Sequence, residues 1–218
     1  KGQILETNAE TAEMCKLTEN SFRDVNIAFA NELSIICDKN GVDVWDLIAL
    51  ANHHPRVNIL QPGTGVGGHC IAVDPWFIVA GDNDNSKIIR TAREVNDAKP
   101  NWVTSKITEK LLKTVGSKGK IVCLGLAFKP DIDDLRESPA VNVVEKLLHA
   151  GYDVSAVEPN ITSHDSINLV ELDLLDNFNV IAILVPHKEF SDPLIKSFLE
   201  KNEALDFCGL LSHDRNRI

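Results

Sequence analysis

A cysteine that directly follows a glycine-rich loop is the residue of this sequence best suited to covalent chemistry. Residues 61–70 contain four glycines and end in Cys70, and such a loop lets backbone N–H groups approach an anion closely. The apolar run 70–79 predicts a helix that starts near the thiol, where the helix dipole favours thiolate. We therefore predict that Cys70 is a nucleophile, although a lone cysteine is more often a small buried hydrophobe.

Three polar side chains at helical spacing are candidates to act with this thiol. Asp74 lies one helical turn after Cys70, where a carboxylate can activate water against an adduct on the sulfur. Lys16 and Asn20 are also one turn apart and can donate hydrogen bonds to a developing oxyanion. In isolation, the run around Lys16 equally predicts a solvated helix face with ion pairs.

A charged loop, residues 128–139, follows the first strand predicted in the second half of the chain. Ligands of open parallel sheets bind at the carboxyl ends of strands, so Lys129 and Arg136 can meet phosphates or a carboxylate there. Ser138, followed by proline, also predicts the start of a helix. The turn that begins at Gly125 lacks the GxGxxG fingerprint of dinucleotide sites.

The elements that position these residues form a helical half and an α/β half. Apolar residues at helical spacing predict two helices within residues 11–51, broken at Asn40 and Gly41, and one long or two nearly continuous helices over residues 86–114. Beyond a linker at residues 116–119, strands alternate with helices, which is typical of a parallel sheet with right-handed crossovers. The predicted elements are strands at 121–128, 152–157 and 180–185, a candidate strand at 204–211, and a helix at 139–149.

The fold class is therefore α/β, with a helical domain over residues 1–115 followed by a Rossmann-like parallel-sheet domain over residues 116–218. A net charge of -10 without a basic stretch argues against nucleic acid or an anionic membrane as a partner. No apolar run approaches the roughly 20 residues of a membrane span, and no signal peptide is visible, so we expect a cytoplasmic protein. Five scattered cysteines argue against a disulfide framework and a zinc site, and no metal is predicted.

Together, the segments resemble the UDP-sugar dehydrogenase family, whose members oxidise C6 of UDP-glucose, UDP-N-acetylglucosamine or UDP-N-acetylmannosamine to the uronic acid. Residues 11–29 and 51–63 are most similar to members that act on UDP-N-acetyl-D-mannosamine, and His69 before Cys70 is similar to the N-acetylhexosamine enzymes. The resemblance implies NAD as cofactor and a product used in cell-surface polysaccharide synthesis. The chain begins at Lys1 without methionine, and we interpret it as a fragment lacking the family's amino-terminal NAD-binding domain and inactive alone.

The resemblance also implies a role for each matched residue. Cys70 traps the C6 aldehyde as a thiohemiacetal, which a second NAD oxidises to a thioester. Lys16 and Asn20 stabilise the oxyanion, and Asp74 orients or activates water. The remaining matches are Arg56, contributed to the neighbouring subunit's UDP-sugar in a homodimer built on the helical domain, Gly67, Phe128 and Lys129 at the UDP-sugar, and Arg136 at the NAD cofactor.

Two hypotheses of other classes stay open. The chain can be a stand-alone sugar-nucleotide-binding protein without catalysis. Alternatively, Cys70 can be a hydrolase or acyl-transfer nucleophile paired with His69 or His54, although no residue is obviously placed to orient either ring. Within the dehydrogenase hypothesis, N-acetylglucosamine or glucose remains an alternative to N-acetylmannosamine, because the choice between the two hexosamines depends on contacts to one epimeric centre.

Overall fold

Four helices form the first half of the chain in the computed structural model, which describes residues 4–116 and 118–212. The longest, α1 (Ala9–Asn40), ends where Gly41 takes the left-handed conformation with φ 67°, which closes a helix without steric cost. Asp43 starts the next helix, because its carboxylate accepts two backbone N–H groups. The other three helices are α2 (Val44–Ala51), α3 (Asp74–Gly81) and α4 (Lys87–Thr114). None of the described helices is both long and apolar enough to cross a membrane.

Helices α1 and α4 pack against each other through a buried polar network. Arg93 donates to Asp24 Oδ1 at 2.7 Å, and Asn96 donates to the same oxygen at 2.8 Å. Burial raises the pKa of Asp24, while the charge and hydrogen bond of Arg93 act in the opposite direction. Since these groups must meet their partners to offset desolvation, the network fixes the register of α1 against α4.

Lys99, also on α4, is a buried amine whose titration should be visible in the stability of the protein. Its Nζ donates to the Ser34 hydroxyl and lies 4.3 Å above the Trp102 ring. Burial lowers the pKa of Lys99 from 10.5 to about 7, against the opposing charge of Asp38. Above pH 7 the unfolded chain therefore holds a proton on this amine that the folded chain has released, so the contribution of Lys99 to stability rises with pH.

We expect Lys99 to contribute a rise of about 2 kcal/mol to the free energy of unfolding between pH 7 and pH 9, on the linkage of one depressed amine. The thiols of Cys123 and Cys208, whose pKa burial raises, oppose this rise in the wild type and in Lys99→Met alike. Urea unfolding of both proteins at several pH values therefore isolates the contribution of Lys99 as their difference, and an equal pH dependence in the two proteins would show that Lys99 is not responsible.

The second half is a parallel sheet with strand order β3-β2-β1-β4-β5. All side chains of β4 are buried, and so are four of the five in β1 and in β2, as expected for a sheet covered on both faces. The order reverses between β1 and β4, which is where ligands of such sheets bind. The elements are β1 (Lys120–Leu124), α5 (Pro139–His149), β2 (Asp153–Val157), β3 (Asn168–Leu169), β4 (Val180–Ile183), α6 (Pro193–Lys201) and β5 (Leu205–Asp206).

Helix α4 belongs to both halves. Its first turns hold α1 through Arg93, whereas Val103, Ile107 and Leu111 are fully buried in the core that covers one face of the sheet. Pro100 lies inside the helix without ending it, so of the two predicted alternatives, one long helix or two nearly continuous ones, the structure has the first.

The predicted fold class is confirmed, with a helical part followed by a parallel α/β sheet, whereas several boundaries differ. Strand β1 ends at Leu124, because Gly125 turns the chain with φ 89° and a Cβ there would lie 2.5 Å from Val185. Strand β3 and helix α6 had no counterpart in the prediction. The domain limits stay a prediction, and residues 1–3, 117 and 213–218 lie outside the described residues.

Candidate functional site

The glycine-rich loop is pressed against the segment that precedes α5. A Cβ on Gly67 would overlap the carbonyl oxygen of Glu137, and one on Gly68 would lie 2.9 Å from the Phe128 ring. The Gly68 N–H donates to the Arg136 carbonyl at 3.2 Å. These glycines therefore permit close packing of the helical half on the sheet half, a role different from the expected approach to an anion.

Cys70 is half-buried at the end of this loop and precedes α3. The prediction that the helix starts near the thiol is wrong, because α3 begins at Asp74 and residues 70–73 form a turn. The Cys70 carbonyl accepts the N–H groups of Val73 at 3.0 Å and Asp74 at 2.8 Å, which closes that turn. The sulfur thus lies one turn before the helix, where the dipole contributes less than at its first residue.

Lys16, Asn20 and Asp74 form a hydrogen-bonded chain between α1 and the start of α3. Asn20 Nδ2 donates to Asp74 Oδ2 at 2.5 Å, and Lys16 Nζ donates to Asn20 Oδ1 at 3.4 Å. Lys16 also pairs with Glu19 at 3.5 Å, and both of these side chains are 63% exposed. The structure therefore brings three predicted residues together next to the Cys70 turn, while the solvated-face prediction for Lys16 holds as well.

Phe128, Lys129 and Arg136 lie on the loop after β1, at the carboxyl edge of the sheet. Phe128 packs on Gly68, and the exposed Lys129 Nζ is 5.8 Å from its ring centroid. Arg136 is exposed and bonds Asp134 through Nε at 3.0 Å and Nη2 at 2.6 Å. These bonds are the main reason why the pKa of Asp134 falls to about 2.

The loop after β1 and the cysteine turn are joined by direct contacts. The pKa of Arg136 is raised, chiefly by its hydrogen bond to Asp134. The Arg136 carbonyl accepts the Gly68 N–H, two residues before Cys70, so the two loops lie side by side.

Arg56 is exposed on the loop after α2. Its backbone N–H donates to His54 Nδ1 at 3.3 Å, and among the described residues no hydrogen bond joins it to Cys70, Lys16, Asn20 or Asp74. Its predicted place in the site of a neighbouring subunit stays a prediction.

Sequence reasoning missed a buried polar group behind the loop after β1. Glu158, directly after β2, accepts the N–H groups of Leu126 at 2.7 Å and Ala127 at 3.0 Å, and its Oε2 lies 2.9 Å from His187 Nε2. Burial raises the pKa of Glu158, but hydrogen bonds from His187, Leu126 and Asn160 outweigh it and hold the pKa at about 2. The available signal was an acidic residue at the end of β2, where dinucleotide folds bind a ribose.

The same contacts decide whether this sheet can hold a dinucleotide. A pyrophosphate is bound by free N–H groups in the turn after β1. Here the N–H groups of Leu126 and Ala127 are taken by the Glu158 carboxylate, and the glycine fingerprint is missing. The residues of this turn therefore do not fit NAD.

Within residues 4–116 and 118–212, the metal-ligating atoms of Asp131, His187 and Glu189 lie within 4.8 Å of one another. His187 Nδ1 accepts the Asp131 N–H at 2.9 Å, and Nε2 is engaged by Glu158. A metal would have to displace one of these bonds, so we assign no metal to this group.

A cavity of about 670 Å³ opens between α4, the stretch around Trp76 and the start of α5. Its polar wall includes the acidic side chains of Asp97, Glu137 and Glu145, and it is not lined by Cys70, Lys16 or Lys129. Carboxylates repel a diphosphate, so we do not place the nucleotide sugar there.

Comparison with known proteins finds one family whose domains match both halves of the chain. Residues 10–98 match the central domain of the UDP-glucose/GDP-mannose dehydrogenase family, and residues 122–213 match its UDP binding domain. The chain is 57% identical over 217 residues to UDP-N-acetyl-D-mannosamine dehydrogenase of Campylobacter jejuni, which covers 95% of this chain and 51% of that protein. The protein of the same name from Salmonella typhimurium is 56% identical over 204 residues, covering 87% and 48%.

A solved structure shows the same arrangement. The UDP-D-ManNAc dehydrogenase of Pyrococcus horikoshii superposes with a TM-score of 0.85 at 36% identity, over 100% of this chain and 53% of that one. The chain thus spans about half the length of the curated relatives it matches.

Proposed function

Because the chain belongs to the UDP-glucose/GDP-mannose dehydrogenase family, we propose that it carries the nucleophile and the nucleotide-sugar site of a UDP-N-acetyl-D-mannosamine 6-dehydrogenase. The reaction is the NAD-dependent, four-electron oxidation of C6 to a carboxylate. The observation that carries the proposal is the chain of hydrogen bonds from Lys16 through Asn20 to Asp74, beside the Cys70 turn. The choice of UDP-N-acetyl-D-mannosamine as substrate is supported by the similar proteins that are named UDP-N-acetyl-D-mannosamine dehydrogenase.

In this mechanism Cys70 forms the covalent intermediates. The thiolate adds to the C6 aldehyde, a C–S bond forms, and the carbonyl oxygen becomes an oxyanion. The Lys16 ammonium and the second amide hydrogen of Asn20, which Asp74 leaves unused, stabilise that oxygen. NAD, when bound, takes up the hydride in each of the two oxidations.

Release of the acid requires water at the thioester. The Asp74 carboxylate accepts a proton from this water, whose oxygen attacks the carbonyl carbon while the C–S bond breaks and the thiolate leaves. Asn20 holds Asp74 Oδ2 at 2.5 Å, so the carboxylate is oriented before water arrives. One hydrogen-bonded unit thereby serves both oxyanion formation and hydrolysis.

The sheet half holds the nucleotide. We assign Phe128 and Lys129 to the UDP moiety, because the exposed ammonium of Lys129 lies at the ligand-binding edge of the sheet, and Gly67 to the loop that lines the sugar. Arg136 is the residue of this chain that we assign to NAD binding. Its guanidinium is already paired with Asp134, so it would contact the cofactor while keeping that pair. The cytoplasmic location and the use of the product in polysaccharide synthesis stay predictions.

A homodimer is part of the proposal, since the exposed Arg56 needs a second subunit to reach a sugar nucleotide. Helix α1 carries an apolar stripe at intervals of two turns, with exposed fractions of 51% for Met14, 68% for Phe22, 50% for Phe29 and 48% for Ile36. A second copy of the chain can cover this stripe and remove it from water.

Phe29→Glu places a charge in that interface and should convert the dimer to monomers at micromolar concentration. Sedimentation velocity measures the change. Arg23→Glu, at an exposed position off the stripe, is the matched control and should leave the dimer intact. A wild-type chain that sediments as a monomer would exclude the stripe as a dimer contact.

The substrate assignment is tested by titrating the chain with UDP-N-acetyl-D-mannosamine, UDP-N-acetylglucosamine, UDP-glucose and GDP-mannose in a calorimeter. We expect the first to bind most tightly and GDP-mannose to bind at least tenfold more weakly, a difference of about 1.4 kcal/mol. Equal affinity for GDP-mannose would contradict the assignment. Binding by the protein that carries this chain, without NADH formation, would favour the sugar-nucleotide-binding hypothesis.

A further inference from the structure

Residues 126–131, the turn that carries Phe128 and Lys129, are held at both ends by buried polar groups. At the first end, the Glu158 carboxylate binds the N–H groups of residues 126 and 127. At the other end, the Asp131 N–H donates to His187 Nδ1 at 2.9 Å, and Asp131 Oδ1 accepts the Lys188 N–H at 3.0 Å. Asp131 has φ 61°, a left-handed conformation that costs energy for a residue with a Cβ, so these bonds hold a conformation that the turn would otherwise leave.

The surroundings of Glu158 demand a carboxylate. Its Oε1 accepts the N–H of Asn160 at 3.0 Å and the Asn160 side-chain amide at 3.0 Å, in addition to the two backbone donors and His187 at Oε2. Because His187 Nδ1 accepts the Asp131 N–H, its proton lies on Nε2 and points to Glu158. Five donors therefore face the Glu158 side chain, and both of its oxygens must accept hydrogen bonds. A glutamine has only one acceptor oxygen, because its NH2 group is a donor.

This buried pair is linked to the chemistry through the Phe128 ring. The ring packs on Gly68, two residues before Cys70, and a Cβ at that glycine would lie 2.9 Å from it. The conformation of residues 126–131 therefore sets where Lys129 lies relative to the Cys70 sulfur. We propose that Glu158 and His187 are positioning residues that hold Phe128 and Lys129 for the nucleotide sugar, an inference that rests on the proposed function.

Another strand of the same sheet is followed by a carboxylate that accepts several backbone N–H groups, and it provides a control for Glu158. Asp206, at the end of β5, accepts the N–H groups of Cys208 at 3.0 Å, Gly209 at 2.8 Å and Leu211 at 2.7 Å. This carboxylate also organises a turn after a strand, but it has no hydrogen bond to residues 126–131. Asp206→Asn therefore removes a comparable cap without touching the nucleotide-binding turn.

The test is calorimetric titration of UDP-N-acetyl-D-mannosamine into the wild-type chain, Glu158→Gln and Asp206→Asn, with the melting temperature of each protein measured in parallel. We expect both variants to melt at lower temperature. Glu158→Gln should bind about tenfold more weakly, as lost hydrogen bonds to a charged group predict, whereas Asp206→Asn should bind within about twofold of wild type. Unchanged affinity in Glu158→Gln would refute the inference while leaving the proposed function intact.

A double-variant cycle separates positioning from a general loss of structure. If Glu158 acts through Lys129, then Lys129→Ala should weaken binding strongly in the wild-type background and only slightly in the Glu158→Gln background. Additive effects would overturn the inference. A wild-type chain that does not bind the nucleotide sugar overturns the proposed function, and this inference with it.

The opposite end of the turn offers a variant for the case in which Glu158→Gln does not fold. Asp131 is exposed, with 43% of its side chain accessible, so Asp131→Ala removes the bond to the Lys188 N–H without burying a new group. It should weaken binding severalfold and show the same non-additivity with Lys129→Ala. Wild-type affinity in this variant counts against the inference.

Discussion

Replacing Cys70 with serine should abolish formation of the uronic acid by the protein that carries this chain, with a fall in turnover of at least about a thousandfold. The serine hydroxyl is almost fully protonated near neutral pH, whereas the thiolate is the reactive form of cysteine. Without the C–S bond, the aldehyde cannot be held for the second oxidation. The measurement is NADH formation together with mass spectrometry of the sugar nucleotide.

Cys15 provides the matched control for this substitution. It is an exposed free thiol on α1, next to Lys16. Cys15→Ser therefore removes a nearby sulfur while keeping the proposed nucleophile, Cys70. We expect this variant to turn over at the wild-type rate. Undiminished acid formation in Cys70→Ser would remove Cys70 and its thioester from the mechanism, while the dehydrogenase activity itself would stand.

Breaking the buried pair between α1 and α4 should have the largest effect on stability. Arg93→Met leaves the fully buried Asp24 without its cation, and an uncompensated buried charge costs about 3–5 kcal/mol. The carboxyl can escape part of this cost by binding a proton, because burial already raises its pKa. The loss should therefore be smaller at acidic pH than at pH 8, as urea unfolding at the two values would show.

The double variant Asp24→Leu with Arg93→Met distinguishes charge burial from simple loss of packing. Replacing both partners with apolar groups removes the desolvation cost, so the double variant should be more stable than Arg93→Met alone. If the single variant loses less than about 1 kcal/mol, the pair contributes no more than an exposed ion pair.

The parts of the site that depend on local spacing could be predicted from the sequence. Lys16 and Asn20 share a helix face because they are four residues apart, and the structure shows the hydrogen bond between them. The α/β class followed from alternating strands and helices, whose apolar runs are strong local signals. Asp74 is joined to Cys70 by a backbone hydrogen bond, although the helix begins one turn later than expected, and the reach of its carboxylate to the sulfur stays a prediction.

The parts that depend on contacts between distant residues could not be predicted in the same way. Glu158 and His187 are 29 positions apart in the chain, and only the parallel order of β2, β1 and β4 brings them together. Strand β3 has two residues, too few for a period to be visible. The packing role of Gly67 depends on the Glu137 carbonyl, which no spacing rule relates to it.

The unbroken helix α4 ties the helical part and the sheet part into one folding unit. A helix of 28 residues is about 42 Å long, and here its first turns pair with α1 while its last turns fill the core of the sheet. Melting either part deprives the other of its packing partner, so we expect both parts to lose their structure in a single transition. Neither part can rotate against the other unless α4 itself bends or breaks.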